Sequence, residues 1–187
     1  IMNYVYHGTY IGELEVIKPN VSTHGKNYVY ATKDRALSVI FLARWDDFIF
    51  NVAYGDDNIL EITERYKGAL EEIYQRKSGY VYTLDGNKFM QNQTRFEGEL
   101  VSEKTVKVLK TEKITDVLIS LLALEKENSI RIRRYPDRHP DIPKDDSDLV
   151  EEAIYFYEQG QKNIIDYCLE KHPHLKERFN NIIEIKK

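Results

Sequence analysis

The chain of 187 residues contains one cysteine, one tryptophan and two methionines. A lone thiol excludes a disulfide framework and any zinc site built from cysteines. Cys168 stands in the apolar stretch Asn163-Ile-Ile-Asp-Tyr-Cys-Leu169, which predicts a small buried hydrophobe. No run approaches the roughly 18 apolar residues of a membrane span, so no membrane association is expected. The first residues, Ile1-Met-Asn-Tyr-Val-Tyr6, lack a basic stretch ahead of an apolar core, which predicts no secretory leader and a cytoplasmic protein. A basic excess is also missing. With 27 Lys and Arg against 31 Asp and Glu, the net charge is −4, which argues against a dedicated nucleic-acid binder.

Tyrosine is what the chain has in plenty, 14 residues with several in short alternating clusters. A large apolar face with a polar tip suits half-buried strands and clefts that stack a planar ligand. Asn3-Tyr-Val-Tyr-His7 alternates as a strand does, with Gly8-Thr9 expected to interrupt it. Tyr28-Val-Tyr-Ala31 predicts a second strand. Thr32 is the expected N-cap of a helix from Lys33 to Asp46, on which Ala36, Val39, Ile40 and Ala43 recur at helical spacing. Asn58–Thr63 reads as a strand, Gly68–Lys77 as a helix, and Tyr80–Leu84 with Lys88–Met90 as a hairpin turned by Asp85-Gly86. Two strands follow, Glu99–Ser102 and Thr105–Leu109. After Lys113 the pattern becomes helical, with a proline-rich loop at 135–143 and an expected capping box of Asp148 and Glu151. The outline is α+β: a β-rich core over residues 1–113 and a helical C-terminal segment, 114–187, packed on it.

Four features stand in order along the core. Tyr6-His7-Gly8-Thr9 ends the first strand. Tyr28-Val-Tyr30 leads into a helix carrying Phe41, eleven residues beyond Tyr30. The strand at Ile59–Thr63 is third, and Phe96-Glu97-Gly98-Glu99 opens a late strand. Two carboxylates at i and i+2 of a strand face one side, so Glu97 and Glu99 are expected in one cleft.

This ordered set resembles the ADP-ribosyltransferase superfamily, in particular its diphtheria-toxin and poly(ADP-ribose)-polymerase branch. The resemblance covers roughly Asn3 to Leu109 and implies a split, strongly curved β core. It implies NAD as substrate, no metal, and a mono-ADP-ribosyltransferase that passes ADP-ribose to a protein or nucleic-acid acceptor. His7 would bond the adenosine ribose, and the backbone of Gly8, beside Thr9, would grip the nicotinamide amide. Tyr30, or Tyr28 one strand period away, would stack on the nicotinamide ring, with Phe41 as second platform. Glu99 would hold the nicotinamide ribose and face the developing cation, and Glu97 would orient the acceptor. Cleaving the nicotinamide–ribose bond produces an oxocarbenium-like transition state, so the site must hold the substrate rigidly and place negative charge beside the ribose. Two positions depart from the family pattern: Phe41 replaces a tyrosine, and Ala31 follows Tyr30 directly instead of standing two residues on.

Three other readings remain open. One is a catalytically idle member of the same fold that binds a nucleotide or a protein. The RNA 2′-phosphotransferases also use NAD, but have histidines where this chain has Tyr28-Val-Tyr30. An interaction module working through its helical tail is the third. Ser22-Thr-His-Gly25 is read as a loop lining the cleft. His139, His172 and His174 are expected as surface-loop residues, lacking the carboxylate or cysteine company of a zinc site. Arg131, Arg133, Arg134 and Arg138 are expected in a solvated loop.

Overall fold

The computed structural model describes residues 3–21, 26–94 and 96–185; the loop Ser22-Thr-His-Gly25 lies outside them. In chain order the strands are β1 (Tyr4–Thr9), β2 (Val16–Ile17), β3 (Asn20–Val21), β4 (Asn27–Thr32), β5 (Phe50–Tyr54), β6 (Leu60–Glu64), β7 (Gly79–Asp85), β8 (Glu99–Ser102), β9 (Val106–Ile114) and β10 (Ile130–Arg133). The helices are α1 (Arg35–Ile40), α2 (Ala69–Tyr74), α3 (Val117–Lys126), α4 (Ser147–Glu158), α5 (Ile164–Lys171) and α6 (Lys176–Ile185). The fold is mixed α+β, with a curled, antiparallel half-barrel sheet and helices toward the C-terminus. Among the described residues no helix is long and apolar enough to cross a membrane.

The chain forms two compact units. The first comprises Ile1–Arg44, Ala53–Glu61 and Leu70–Arg131; the second comprises Trp45–Val52, Ile62–Ala69 and Ile132–Lys187. Residues 114–131, with α3, therefore group with the β-rich unit.

In the first unit seven strands run in the order β2-β9-β7-β1-β4-β3, with β8 also paired to β4. Strand alternation sends Val5, Val29, Ala31, Leu84 and Leu100 to one buried cluster with Ile17, Tyr82 and Val106. The opposite face of β1 and β4 carries Tyr6, Gly8, Tyr30 and Thr32. The expected break at Gly8-Thr9 does not occur, since β1 pairs with β7 as far as Thr9 opposite Tyr80. Its reason is space: a Cβ on Gly8 would stand 2.0 Å from the Ser38 carbonyl oxygen, so glycine lets α1 lie directly on the strand.

α1 is shorter than its periodicity predicts. Asp34, not Thr32, caps it by accepting from the Ala36 N–H at 2.9 Å, and the helix stops at Phe41. Thr32 instead accepts from the Asp34 N–H. The Asp85-Gly86 hairpin is also absent. Gly86 begins a 3₁₀ turn capped by Asp85, and Met90 bridges to Val101 on β8. Asn3 fills the space that a Cβ on Gly86 would need, which holds the chain on this course.

A three-stranded sheet runs β10-β6-β5. β10 corrects the all-helical tail and the solvated arginine loop together. Ile130 and Ile132 are buried, while Arg131 pairs with Asp57 at 2.7 Å and with Glu61, and Arg133 pairs with Asp137. Alternating burial of Ile130 and Ile132 makes a strand of what composition reads as loop, with the arginines on its other face.

In the second unit α4, α5 and α6 bury Leu149, Val150, Ala153, Ile165, Cys168 and Phe179 around Phe48. Cys168 is buried as its surroundings predict, and burial pushes its thiol up to about 12. The Asp148–Glu151 capping box does not form. Asp146 is the N-cap residue, in the left-handed conformation at φ 55°, and Asp148 turns to Arg65. Arg65 is 2% exposed and reaches Asp146 at 3.0 Å and Asp148 at 2.8 Å. His172 is not a surface residue: it is buried, and its Nε2–H donates to the Phe48 carbonyl at 2.7 Å.

Candidate functional site

The candidate site lies in the first unit, where β8, β4 and β1 run side by side. The register sets Thr32 opposite Glu99 on one side and opposite Tyr6 on the other. Antiparallel pairing thus brings a glutamate from residue 99 within two strands of a histidine at residue 7.

β1 and β4 pair at Tyr6 and Thr32, and one residue further on a side chain takes over the ladder's role. His7 Nδ1–H donates to the Tyr30 carbonyl at 2.6 Å. A carbonyl only accepts, so the proton sits on Nδ1 and Nε2 keeps its lone pair. Burial lowers the His7 pKa, with the Tyr30 hydrogen bond opposing that shift, and the ring is neutral at pH 7.

A cavity of about 150 Å³ opens at this junction, lined by His7, Gly8, Tyr30, Ser38, Phe41 and Glu99 along with Tyr6, Ala31 and Thr32. Its size suits one planar ring. Tyr6, Thr32 and Glu99 also line a cleft of about 850 Å³, and His7 also lines a third of about 370 Å³. The small cavity thus shares Glu99 with the larger cleft and His7 with the third.

Of the expected residues, the structure brings together His7, Gly8, Tyr30, Phe41 and Glu99. Tyr28 does not line the cavity: it is 5% exposed and meets the Tyr30 ring edge-on at 6.0 Å. Thr9 lies beyond it and lines the 370 Å³ cleft with His7. Phe41 stands at the C-terminal cap of α1, partly exposed, edge-on to Phe96 at 5.9 Å.

Glu97 lines the 850 Å³ cleft with Glu99, but not by strand alternation. Gly98 has φ +85°, and the Glu99 N–H reaches back to the Phe96 carbonyl at 3.2 Å. That turn places Glu97 ahead of β8. Extended geometry, which made the two carboxylates parallel on paper, does not apply there.

Sequence reasoning missed two contributors, Ser38 and Tyr54, and gave Tyr6 no role of its own. Ser38 is 1% exposed, and its hydroxyl donates to the Arg35 carbonyl at 2.6 Å at the cavity wall. Tyr54 donates to Asp34 Oδ2 at 3.0 Å and touches Gly98; burial and the Asp34 and Glu97 charges raise its pKa. Tyr6 lines both spaces. A signal existed for Ser38, one helical turn before Phe41 on the same helix face. Tyr54 gave none, since β5 itself was not read.

The chain matches no protein-family model, and neither the curated proteins nor the solved structures contain a match to it.

Proposed function

We propose that the first unit is the NAD-cleaving core of a mono-ADP-ribosyltransferase. One observation carries the reading: Gly8, Tyr30, Phe41 and Glu99 line a single ring-sized cavity whose edge is the neutral imidazole of His7. These residues come from separate stretches of the chain, joined by the pairing of β4 with β1 and β8.

On this reading the nicotinamide ring occupies the 150 Å³ cavity, between the Tyr30 and Phe41 rings, with the Gly8 backbone on its amide. Aromatic faces on both sides hold a planar ring at low entropic cost. His7 bonds the adenosine ribose from the edge shared with the 370 Å³ cleft. Glu99, shared with the larger cleft, accepts from the nicotinamide ribose hydroxyl and stabilises positive charge growing on that sugar. The acceptor approaches through the 850 Å³ cleft, where Glu97 and the Asp34–Tyr54 pair stand. The split curved core of that superfamily belongs to the same proposal.

The test is incubation with NAD labelled in the nicotinamide ring. Nicotinamide release is expected from the wild type. Glu99→Gln is expected to cut it by about 100-fold or more, the usual cost of removing one electrostatic stabiliser of a transition state. NAD-induced thermal stabilisation without release would make the unit a nucleotide-binding module. Absence of both overturns the reading.

A further inference from the structure

We infer that Asp146, His172 and His174, in the second unit, form a binding site for one divalent transition ion of the zinc class. The inference is independent of the proposed NAD chemistry. One ligand atom from each residue lies within 4.8 Å of the other two. Two imidazoles and one carboxylate are a donor set that selects zinc, cobalt, nickel or copper over magnesium and calcium.

The surrounding bonds orient this set as outer contacts of a metal centre do. His172 donates from Nε2 to the Phe48 carbonyl at 2.7 Å, which leaves Nδ1 with the lone pair. The Asp146 carboxylate is divided between two tasks. Oδ1 accepts from Arg65 and Arg138, each at 3.0 Å, and Oδ2 faces His174 Nε2 at 2.8 Å. One oxygen is anchored and the other is turned to His174.

The arginines do not leave the site positive. Arg65 and Arg138 are balanced by Asp146 and by Asp148, which accepts from both Arg65 terminal nitrogens at 2.8 Å. An arriving ion takes the place of the proton between His174 Nε2 and Asp146 Oδ2, and that proton passes to solvent or to His174 Nδ1. Zinc bonds of about 2.0–2.1 Å in a tetrahedron require ligands about 3.3 Å apart, so His174 and Oδ2 need separate by only about half an ångström. His174 is 54% exposed, which gives the ion a route from solvent and leaves a fourth position for water. The bound ion would tie the N-terminus of α4 to the end of α5 and the turn Pro173–Leu175 that follows it.

The test is titration of the full, chelator-treated chain with zinc chloride by calorimetry, and with cobalt(II) by visible absorption. One ion per chain is expected, with a Kd of about 10 μM or tighter and a raised Tm at saturation. His174→Ala should weaken binding at least 100-fold, while Glu152→Gln, in the neighbouring carboxylate group with Asp47, should leave it unchanged. In the wild type, zinc should shift the ring-nitrogen resonances of His172 and His174 together, a readout that does not depend on how the variant folds. No binding at 100 μM zinc, unchanged binding in His174→Ala, or loss of binding in Glu152→Gln would each overturn the inference.

Discussion

His7 closes the gap between β1 and β4 by donating its Nδ1 proton to the carbonyl oxygen of Tyr30, 2.6 Å away. A side chain thus completes a backbone ladder, while the burial that surrounds it favours the neutral ring. Burial holds the His7 pKa below its ordinary 6.5, so between that depressed value and 6.5 the unfolded chain binds more protons than the folded one. Stability from this residue is therefore complete above pH 6.5 and is lost as pH falls below it. Urea midpoints at pH 7.5 and 5.5 should drop further in the wild type than in His7→Gln, which retains a donor without a titrating ring. Equal drops would show that His7 contributes nothing to the pH dependence.

Gly8→Ala tests the packing that shapes the cavity. The added methyl would meet the Ser38 carbonyl oxygen at 2.0 Å, and backbone cannot swing aside as a flexible side chain can. A loss of about 1–3 kcal/mol is expected from thermal or urea unfolding, as for other overpacked sites. NAD affinity should fall with it, because α1 carries Ser38 and Phe41. A stable variant with unchanged affinity would mean that α1 shifts without consequence.

Arg65 is a buried charge of the second unit, paired with Asp146 and Asp148. Replacing it with methionine leaves Asp146 buried with one cation fewer, and such broken pairs typically cost about 3–5 kcal/mol. Chemical denaturation of Arg65→Met should show that loss. The double variant Arg65→Met with Asp146→Asn should recover part of it, since the stranded charge is then gone.

Glu152 titrates in the opposite sense. Burial, with Asp47 and Asp46 nearby, pushes its carboxyl up to about 8 from an ordinary 4.5. The folded state therefore holds a proton that the unfolded state releases, and stability declines as pH rises from 4.5 toward 8. Glu152→Gln should raise the unfolding midpoint at pH 8 and leave it nearly unchanged at pH 4.5. A variant no more stable at pH 8 would remove Glu152 from the account.

Much of the candidate site was legible because its residues sit where alternation and turn chemistry are local. Tyr30 and Glu99 stand on strands visible in the pattern, whereas Gly8 reads locally as a break in the strand and instead marks a close approach to it. What could not be read was the object approached. Strand alternation could not say which partner Gly8 faces, and the structure supplies the Ser38 carbonyl. Glu97 shares the expected cleft with Glu99 by another route: spacing assumes extended backbone, and one positive φ at Gly98 removes that assumption. β10 and the histidine cluster were illegible on other grounds. Arg131 needs Asp57 and Glu61, and His172 and His174 need Asp146, partners 70 or more and about 26 residues away along the chain. No local window contains both halves of such pairs.

Tyr74 is buried at 0% exposure and donates its hydroxyl to the Ile40 carbonyl at 2.7 Å, the last residue of α1 before Phe41. A phenol 34 residues downstream thus fixes the end of the helix that presents one of the proposed stacking rings. Substitutions at positions 74 and 41 should consequently be non-additive, although the two side chains belong to different tasks. In a library selected for NAD binding, tolerated exchanges at Phe41 would depend on whether a hydrogen-bond donor is kept at position 74, so that a distant core tyrosine governs how freely the site can evolve.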